Sequence, residues 1–406
     1  KTGEIKAISN LGRTSSGRYY EKRNYAVWES HEPGSTFKLA SMMAALEDKL
    51  IDTSTVVDTE KGKIFIRGRK VQDSGNEGYG EISMARVFEV SSNVGMVKII
   101  QKHYDKNPGQ FVKRLKKFGL DQQTGVKIKG EGRPFIPSPE GDHWSPIALE
   151  WMAWGYGVSL TPLQTLTFYN AVANNGELVR PRFVKELRIG NKLEKHFTKE
   201  VLDGKIASQE TIDKVRKVME NVVKKGTASE IYSPNFSMAG KTGTAKKWIP
   251  KHENDLGETV SGYYSNQRYV ASFAGFFPAD EPEYSCIVVI HDPKKEKGYY
   301  GAVVAAPVFK EIAQKIFTTT PIVNQTVSDT LPMSNLDEKY AHYYSVLQKY
   351  KTVMPKVKGL SGMDAISILE NMGLKVEFSG LGKVIEQSVP RGEKVKKGTV
   401  IYLKLA

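Results

Sequence analysis

A serine and a lysine one helical turn apart are the first candidates for catalysis in this sequence. Ser35 and Lys38 lie in the run 32–38, in which a Pro-Gly pair interrupts the preceding structure. Residues 38–46 are rich in good helix formers, so a helix is predicted to begin close to Ser35. Because residues three positions apart share one face of a helix, the Lys38 amine can reach the Ser35 hydroxyl.

The surroundings of Lys38 determine whether its amine can act as a base. The predicted helix is apolar on nearly all sides, which is typical of a buried helix. Burial disfavours an ammonium ion, so the pKa of Lys38 falls and a neutral amine can accept the Ser35 proton. The alternative is that Ser35 only caps a helix and that Lys38 only extends to solvent. A capping box would have Glu or Gln in place of Lys38, which counts slightly against this alternative.

Composition sets the class of protein in which this pair could work. The chain has 406 residues, enough for two or three domains, and its hydrophobic content of 40% allows a real core. A net charge of +14 is compatible with nucleic acid, an anionic membrane surface or an acidic polymer. The lysines are spread along the chain, and no zinc-finger spacing or RNA-recognition signature is visible, so nucleic acid is not the expected partner. The single cysteine, Cys286, excludes an internal disulfide and is expected to be an inert thiol in a buried strand.

The elements that must position the pair are predicted from periodicity and turn signals. Strands are predicted over 2–10, 238–246, 269–276 and 284–290, and a hairpin over 56–71. Helices are predicted over 82–100 with a break at 91–93, and over 111–118, 162–173, 209–223 and 303–317. Residues 11–24 are expected to form a polar loop, and Thr161 is the expected N-cap of the helix that begins at Pro162.

Composition changes near the C-terminus indicate three parts. Residues 1–318 form one large domain, and residues 319–352 read as a linker, with a possible helix over 338–350. Residues 353–406 form a small lysine-rich α+β module, with a helix over 363–372 and strands over 374–378 and 400–405. No apolar stretch is long enough to span a bilayer. The chain begins abruptly with a turn that leads into a strand, so we expect residues upstream of Lys1 in the complete protein.

Two further motifs decide how Ser35 and Lys38 are interpreted. They are Ser91-Ser92-Asn93 and Lys241-Thr242-Gly243-Thr244. In this order, the three motifs match the well-established signature of the active-site serine penicillin-recognising enzymes. Each motif alone is weak, because 91–93 could be a helix cap and 241–243 an ordinary strand end. A second Lys-Thr-Gly at 1–3 precedes the serine and is interpreted as a turn.

The contexts of the motifs resemble those of the class B penicillin-binding proteins over roughly residues 1–318. The segments that carry this resemblance are Pro33-Gly34-Ser35-Thr36-Phe37-Lys38, Ser91-Ser92-Asn93-Val94-Gly95, Gly155-Tyr156-Gly157, Thr161-Pro162-Leu163-Gln164, Gly240-Lys241-Thr242-Gly243-Thr244-Ala245, Tyr299-Tyr300-Gly301 and Ala305-Ala306-Pro307-Val308-Phe309. Residues 353–406 resemble a single PASTA domain, a pairing similar to that of the division and sporulation transpeptidases. The resemblance implies an α+β fold, similar to that of the serine β-lactamases, in which helices flank an antiparallel sheet and the cleft lies beside one edge strand.

The resemblance also implies a role for each motif residue. Ser35 would attack the carbonyl of a terminal D-alanyl-D-alanine to form an acyl-enzyme, with Lys38 as the base. Ser91 would relay a proton to the leaving D-alanine amine, and Asn93 would hold Lys38 and the substrate amide. Lys241 would add positive charge beside Ser91 and attract the terminal carboxylate of the substrate.

The remaining residues of the third motif are expected to bind the substrate. Thr242 and Thr244 can hydrogen-bond its carboxylate, and Gly243 lets the strand and the ligand approach closely. The backbone N–H groups of Ser35 and Thr244 would form the oxyanion hole. Neither a metal nor a cofactor is expected.

The motifs leave the acceptor of the acyl group open. If the acceptor is an amine of a second stem peptide, the chain is a peptidoglycan D,D-transpeptidase that acts in cell division or septal wall synthesis. If the acceptor is water, the chain is a D,D-carboxypeptidase or a β-lactamase. No Glu-x-x-Leu-Asn segment, of the kind that supplies the deacylating base in class A β-lactamases, is present in the sequence. A third alternative is a non-catalytic protein that binds β-lactams or peptidoglycan, against which the intact motif set argues.

The expected partners follow from the same resemblance. They are peptidoglycan stem peptides, β-lactams, a membrane glycosyltransferase and division proteins. A membrane anchor and a pedestal domain are implied upstream, and the catalytic domain is expected outside the cytoplasmic membrane. Residues 246–267 are polar and are expected to form a mobile loop near the mouth of the cleft.

Overall fold

The computed structural model describes residues 1–21, 23–74, 77–253, 259–319 and 353–406. These residues form two compact units, one of Lys1–Tyr232 with Ser237–Phe309 and one of Ser233–Phe236 with Lys310–Ala406. The expected linker, with its possible helix over 338–350, lies outside the described residues except for residue 319.

The elements follow one another as a mixture of short strands and helices. In chain order the α-helices are α1 (Tyr25–Trp28), α2 (Lys38–Glu47), α3 (Met84–Glu89), α4 (Asn93–Tyr104), α5 (Pro108–Lys117), α6 (Ala148–Met152), α7 (Pro162–Ala173), α8 (Gln209–Lys225), α9 (Gly301–Val304), α10 (Ala306–Thr319) and α11 (Gly362–Asn371). The strands are β1 (Leu11–Arg13), β2 (Tyr19–Glu21), β3 (Val56–Asp58), β4 (Lys63–Ile66), β5 (Arg69–Gln72), β6 (Glu81–Ser83), β7 (Leu178–Val179), β8 (Glu186–Ile189), β9 (Lys192–His196), β10 (Val201–Asp203), β11 (Ala239–Ile249), β12 (His252–Glu253), β13 (Thr259–Val260), β14 (Tyr263–Phe277), β15 (Tyr284–His291), β16 (Lys375–Ser379), β17 (Val384–Gln387) and β18 (Val400–Leu405).

The central sheet of the first unit consists of the three strands that carry and support the third motif. Its order is β11-β14-β15 and both pairings are antiparallel, with Lys241 opposite Ala274. Within the described residues β11 therefore lies at an edge of this sheet. The predicted strands are confirmed, but β11 and β14 are longer than expected and include much of the region expected to be a loop over 246–267. Residues 254–258 of that region lie outside the described part of the chain.

Of the predicted helices, α7 matches at both ends and α8 at its start, whereas α5 begins at Pro108 and the helix predicted over 303–317 is divided into α9 and α10. Lys38 to Leu46 in α2 are all buried, as an all-round apolar helix requires. The hydroxyl of Thr161 caps α7 and forms a capping box with Gln164. Gly119 follows α5 with φ +76°, a conformation that glycine adopts without steric cost.

Three predictions for the N-terminal third of the chain are wrong, wholly or in part. Residues 2–10 do not form a strand, and Glu4 makes only an isolated bridge to Arg182. Strands β1 and β2 instead form a hairpin in the expected polar loop, because Gly17 adopts φ +81° and its N–H closes a turn onto Thr14 O at 3.0 Å. The hairpin predicted over 56–71 consists of β4 and β5 alone, since β3 pairs with β6.

The second unit contains the small C-terminal module. Strand β18 lies between β16, to which it is parallel, and β17, to which it is antiparallel. Ile401, Leu403 and Leu405 are buried, and they alternate with the exposed Tyr402 and Lys404. The predicted helix and both predicted strands are confirmed, with β17 as an addition. Across the described ranges, no helix is long and apolar enough to cross a membrane.

Candidate active site

Ser35 lies in a tight 3₁₀ turn, Gly34–Phe37, that leads directly into α2. Gly34 adopts φ +55°, and a Cβ atom there would lie 3.0 Å from the Cβ of Ala245 in β11. The N–H of Gly34 donates to Gly155 O at 3.1 Å, and the Tyr169 hydroxyl donates to Thr36 O at 2.7 Å. These contacts hold the turn, and with it Ser35, against the edge of the sheet.

Lys38 connects the first motif to the second. Its side chain is completely buried, and Nζ donates to Asn93 Oδ1 at 2.6 Å, to Ser91 O at 2.7 Å and to Ser91 Oγ at 3.2 Å. An ammonium has three N–H donors, so these contacts use all of them. Within the described part of the chain, no hydrogen bond joins the Ser35 hydroxyl to the Lys38 amine, which is directed at the second motif.

Ser91 lies between the two motif lysines. It occupies the break between α3 and α4 with φ +59°, which is uncommon for a residue with a side chain. Lys241 Nζ donates to Ser91 Oγ at 2.8 Å, on the same hydroxyl that Lys38 approaches. Lys241 is also fully buried, and its ammonium lies 5.6 Å from the centre of the Phe88 ring. The structure thus brings Lys38, Ser91, Asn93 and Lys241 into one hydrogen-bonded group.

A carboxylate that belongs to none of the sequence motifs, and that the sequence does not predict, holds the second motif in place. Asp73 accepts hydrogen bonds from the Ser92 hydroxyl at 2.8 Å and from the backbone N–H groups of Asn93 at 2.5 Å and Val94 at 3.0 Å. It directly follows β5, and the helix that it contacts begins 20 residues later in the chain. No spacing in the sequence points to it, because the pairing of β4 with β5 sets its position.

Burial changes the protonation of both lysines. It lowers the pKa of Lys38 to about 7, although the negative charge of Asp73 acts in the opposite direction. Burial, together with the positive charge of Lys38, also holds the pKa of Lys241 well below its usual value. A neutral amine at Lys38 is therefore well populated near neutral pH, which is the form that a general base needs.

The third motif lies where β11 passes close to the turn of Ser35. A Cβ atom at Gly243 would lie 2.3 Å from Ser272 Oγ and 2.9 Å from Thr36 Cγ2, so only glycine permits this approach. The backbone N–H of Lys246 points away from β14 and donates to the Tyr156 hydroxyl at 3.0 Å. Backbone N–H groups alternate in direction along a strand, so the N–H of Thr244, two residues earlier, also points away from β14.

The two threonines of the third motif have partners within the protein. The Thr242 hydroxyl lies 2.8 Å from the Thr227 hydroxyl, and Lys241 Nζ donates to Thr242 O at 3.1 Å. Thr244 Oγ1 accepts from the N–H of Gly301 at the start of α9, at 3.0 Å. The Thr244 hydroxyl is thus bound to α9, while its N–H group faces the open edge of β11.

Comparison with known proteins agrees with this geometry. A family model described as the penicillin binding protein transpeptidase domain matches residues 1–314, and a PASTA domain model matches residues 352–406. The chain belongs to the penicillin-binding protein transpeptidase family. Both the resemblance drawn from the motifs and the α+β fold expected from it are confirmed.

Individual relatives of the family cover the transpeptidase part or the whole chain. Stage V sporulation protein D of Bacillus subtilis is 30% identical over 422 residues, which cover 100% of this chain and 59% of that protein. Peptidoglycan D,D-transpeptidase FtsI of Escherichia coli is 30% identical over 327 residues, covering 79% of this chain and 50% of that protein. The structure is similar to penicillin-binding protein 3 of Mycobacterium tuberculosis in complex with ampicillin, with a TM-score of 0.63, 29% identity, and coverage of 78% of this chain and 70% of that chain. This chain spans about half to three-fifths of the length of the two curated relatives.

Proposed function

We propose that this chain is a serine-type peptidoglycan D,D-transpeptidase, and that it cross-links stem peptides during division or septal wall synthesis. The observation that carries the proposal is the Lys38 amine, which is buried and bound to Ser91 and Asn93 one helical turn after Ser35. A pKa of about 7 lets this amine take a proton near neutral pH. The names of relatives such as FtsI support the same reaction.

The acylation step uses the first two motifs. The Ser35 hydroxyl attacks the carbonyl carbon of the penultimate D-alanine, and its proton moves to Lys38 Nζ. The C–N bond to the terminal D-alanine then breaks, and the leaving amine takes a proton through the Ser91 hydroxyl, which lies 3.2 Å from Lys38 and 2.8 Å from Lys241. Asn93 orients Lys38 and contacts the substrate amide. In the second half-reaction an amine of a second stem peptide attacks the ester carbonyl carbon, the C–O bond to Ser35 breaks, and the proton lost by the amine returns to Ser35 Oγ through Lys38.

The third motif recognises the anionic end of the substrate and the developing oxyanion. A substrate carboxylate beside Lys241 supplies the negative charge that this buried amine lacks, and it thereby favours the ammonium form. Thr242 adds a hydroxyl at the same place. The N–H groups of Ser35 and Thr244 form the oxyanion hole, a contribution typically worth about 10²–10³ in rate. The outward direction of the Thr244 N–H along β11 supports this assignment.

The setting of the reaction forms part of the same proposal. Residues 1–318 form the catalytic domain and residues 353–406 a PASTA domain, with a linker over 319–352. β-Lactams acylate Ser35, as solved complexes of similar proteins with ampicillin and aztreonam suggest for this chain. The catalytic domain acts outside the cytoplasmic membrane, where it works with a membrane glycosyltransferase and division proteins.

The experiment that tests the reaction supplies a stem peptide ending in D-alanyl-D-alanine, with and without an amine acceptor. Mass spectrometry distinguishes the cross-linked product from the hydrolysed one, and Ser35→Ala is the matched control. We expect release of D-alanine together with a cross-linked product that requires both the acceptor and Ser35. Hydrolysis of the stem peptide alone, with the acceptor present in excess, would assign the chain to the D,D-carboxypeptidases instead.

A further inference from the structure

Asp73 is a buried carboxylate that belongs to none of the three motifs. It is 4% exposed and follows β5. Its Oδ1 accepts from the N–H groups of Asn93 and Val94, at 2.5 Å and 3.0 Å, and its Oδ2 accepts from the Ser92 hydroxyl at 2.8 Å. These partners form the first turn of α4, whose N–H groups have no acceptor within the helix. The carboxylate also matches the positive end of the α4 dipole.

Asp73 reaches the Lys38 amine through a single residue. The backbone N–H of Asn93 donates to Asp73, and its side-chain Oδ1 accepts from Lys38 Nζ at 2.6 Å. Asn93 Nδ2 donates to Gln72 O at 2.6 Å, which fixes the orientation of the amide so that its oxygen faces the lysine. Two adjacent residues, Gln72 and Asp73, therefore hold Asn93 from both its backbone and its side chain.

The charges around Lys38 make Asp73 the group that favours the ammonium form. Lys241 approaches from β11 and carries the same sign of charge as Lys38. Burial lowers the pKa of Lys38, and the carboxylate of Asp73 acts against it. Burial raises the pKa of Tyr79, where Asp73 acts in the same direction and Arg86 in the opposite one. Within the described residues, Asp73 is the anionic group that acts on the Lys38 amine.

We propose that Asp73 is a positioning residue of the acylation step. It holds Ser92 and Asn93, and through Asn93 the Lys38 amine. Its negative charge stabilises the ammonium ion that forms when Lys38 takes the proton of Ser35. The proposal rests on the proposed function, since it assigns Asp73 a part in that reaction. The alternative is that Asp73 only caps α4 and contributes to folding alone.

The test compares the pH dependence of acylation by benzylpenicillin in the parent chain and in Asp73→Asn. Asparagine has the same shape and can keep the acceptor for the N–H groups of Asn93 and Val94, but it has no charge. Without the charge the pKa of Lys38 falls, so the acid limb of the rate profile moves to lower pH by about one unit. The rate on the plateau falls roughly tenfold, because the ammonium is less stabilised in the transition state.

Two variants separate charge from capping. Ser92→Ala removes the hydroxyl that donates to Asp73 and accepts from the Gly95 N–H at 3.0 Å, so it lowers stability but leaves the acid limb unchanged. Glu47→Gln changes a carboxylate that accepts from Ser208, the N-cap of α8, and it leaves both the limb and the plateau unchanged. Asp73→Ser replaces Asp73→Asn if the latter does not fold, with the same expected shift.

Several results would overturn the inference. If the acylation rate of folded Asp73→Asn falls at the same acid pH as that of the parent, Asp73 serves only as a structural cap of α4. A shift of equal size in Ser92→Ala would attribute the effect to lost capping and not to lost charge. A parent chain that forms no adduct at any pH would contradict the proposed function itself, and the inference with it.

Discussion

At the scale of single residues, the candidate site depends on two lysines buried beside one serine hydroxyl. Lys38 and Lys241 are both fully buried, and both approach Ser91 Oγ. Burial of two ammonium ions side by side is unfavourable, so the arrangement favours proton loss from this pair. Burial beside a second lysine therefore disfavours the ammonium form of Lys38, and the neutral amine that results can act as a base.

This protonation predicts how acylation depends on pH. Burial lowers the pKa of Lys38 to about 7, so the amine is mostly protonated below that pH and mostly neutral above it. The second-order rate constant for benzylpenicillin acylation is expected to fall about tenfold per pH unit below pH 7 and to level off above it. Stopped-flow or quenched mass measurements over this range check the profile. A rate constant that keeps rising up to about pH 10, where an unperturbed lysine loses its proton, would contradict the assignment of Lys38 as the base.

The sequence predicts which residues could form the candidate site, but it does not predict the residues that hold them in place. Ser35, Lys38, Ser91, Asn93 and Lys241 were selected by type and order, and the structure brings the last four into one group. Their support could not be predicted in the same way, because it depends on which strands pair. The role of Asp73 depends on the packing of β5 beside α4, and no periodicity in the sequence predicts that contact.

At the scale of elements, the site depends on the close approach of β11 to the turn of Ser35. Gly34 and Gly243 permit this approach from the two sides, because a side chain at either position would meet the opposite element. The long helices could be predicted, since their apolar periodicity and caps are strong signals. The short strands β1, β2 and β17 could not, because segments of three or four residues show little alternation and are defined by their partners.

The close approach predicts the effect of adding one methyl group to β11. The Cβ atom of Gly243→Ala would lie 2.9 Å from Thr36 Cγ2, so β11 must move away from the turn that carries Ser35. A displacement of this kind in a catalytic geometry costs roughly 10- to 100-fold in rate, which benzylpenicillin acylation measures directly. Gly204→Ala is the matched control, because nothing lies within 4 Å of its added Cβ. Unchanged acylation in folded Gly243→Ala would show that this contact does not set the geometry.

At the scale of the whole molecule, the candidate site lies within one of the two units. Ser35, Lys38, Ser91 and Lys241 all belong to the first, and residues 353–406 belong to the second. In the second unit Phe236 and Phe317 stack with their ring centres 5.0 Å apart, and Phe378 lies 6.4 Å from each. No residue named in the reaction comes from the second unit.

This organisation predicts that the PASTA domain can be removed without loss of the chemistry. A chain without residues 353–406 is expected to be acylated by benzylpenicillin within about threefold of the rate of the full chain, since none of the residues assigned to the reaction lies in the deleted segment. The same deletion exposes the Phe236–Phe317 pair, so a lower solubility is expected. Circular dichroism establishes that the shortened chain is folded. Loss of acylation in a folded chain would show that residues 353–406 contribute to the site.

The assignment of Ser35 as the nucleophile is tested by intact-mass measurement after incubation with benzylpenicillin. The parent chain and Ser35→Ala are compared under the same conditions, with folding verified for both. This assignment predicts one long-lived covalent adduct on the parent and none on Ser35→Ala. An adduct that persists in Ser35→Ala, or a folded parent that remains unmodified, would contradict it.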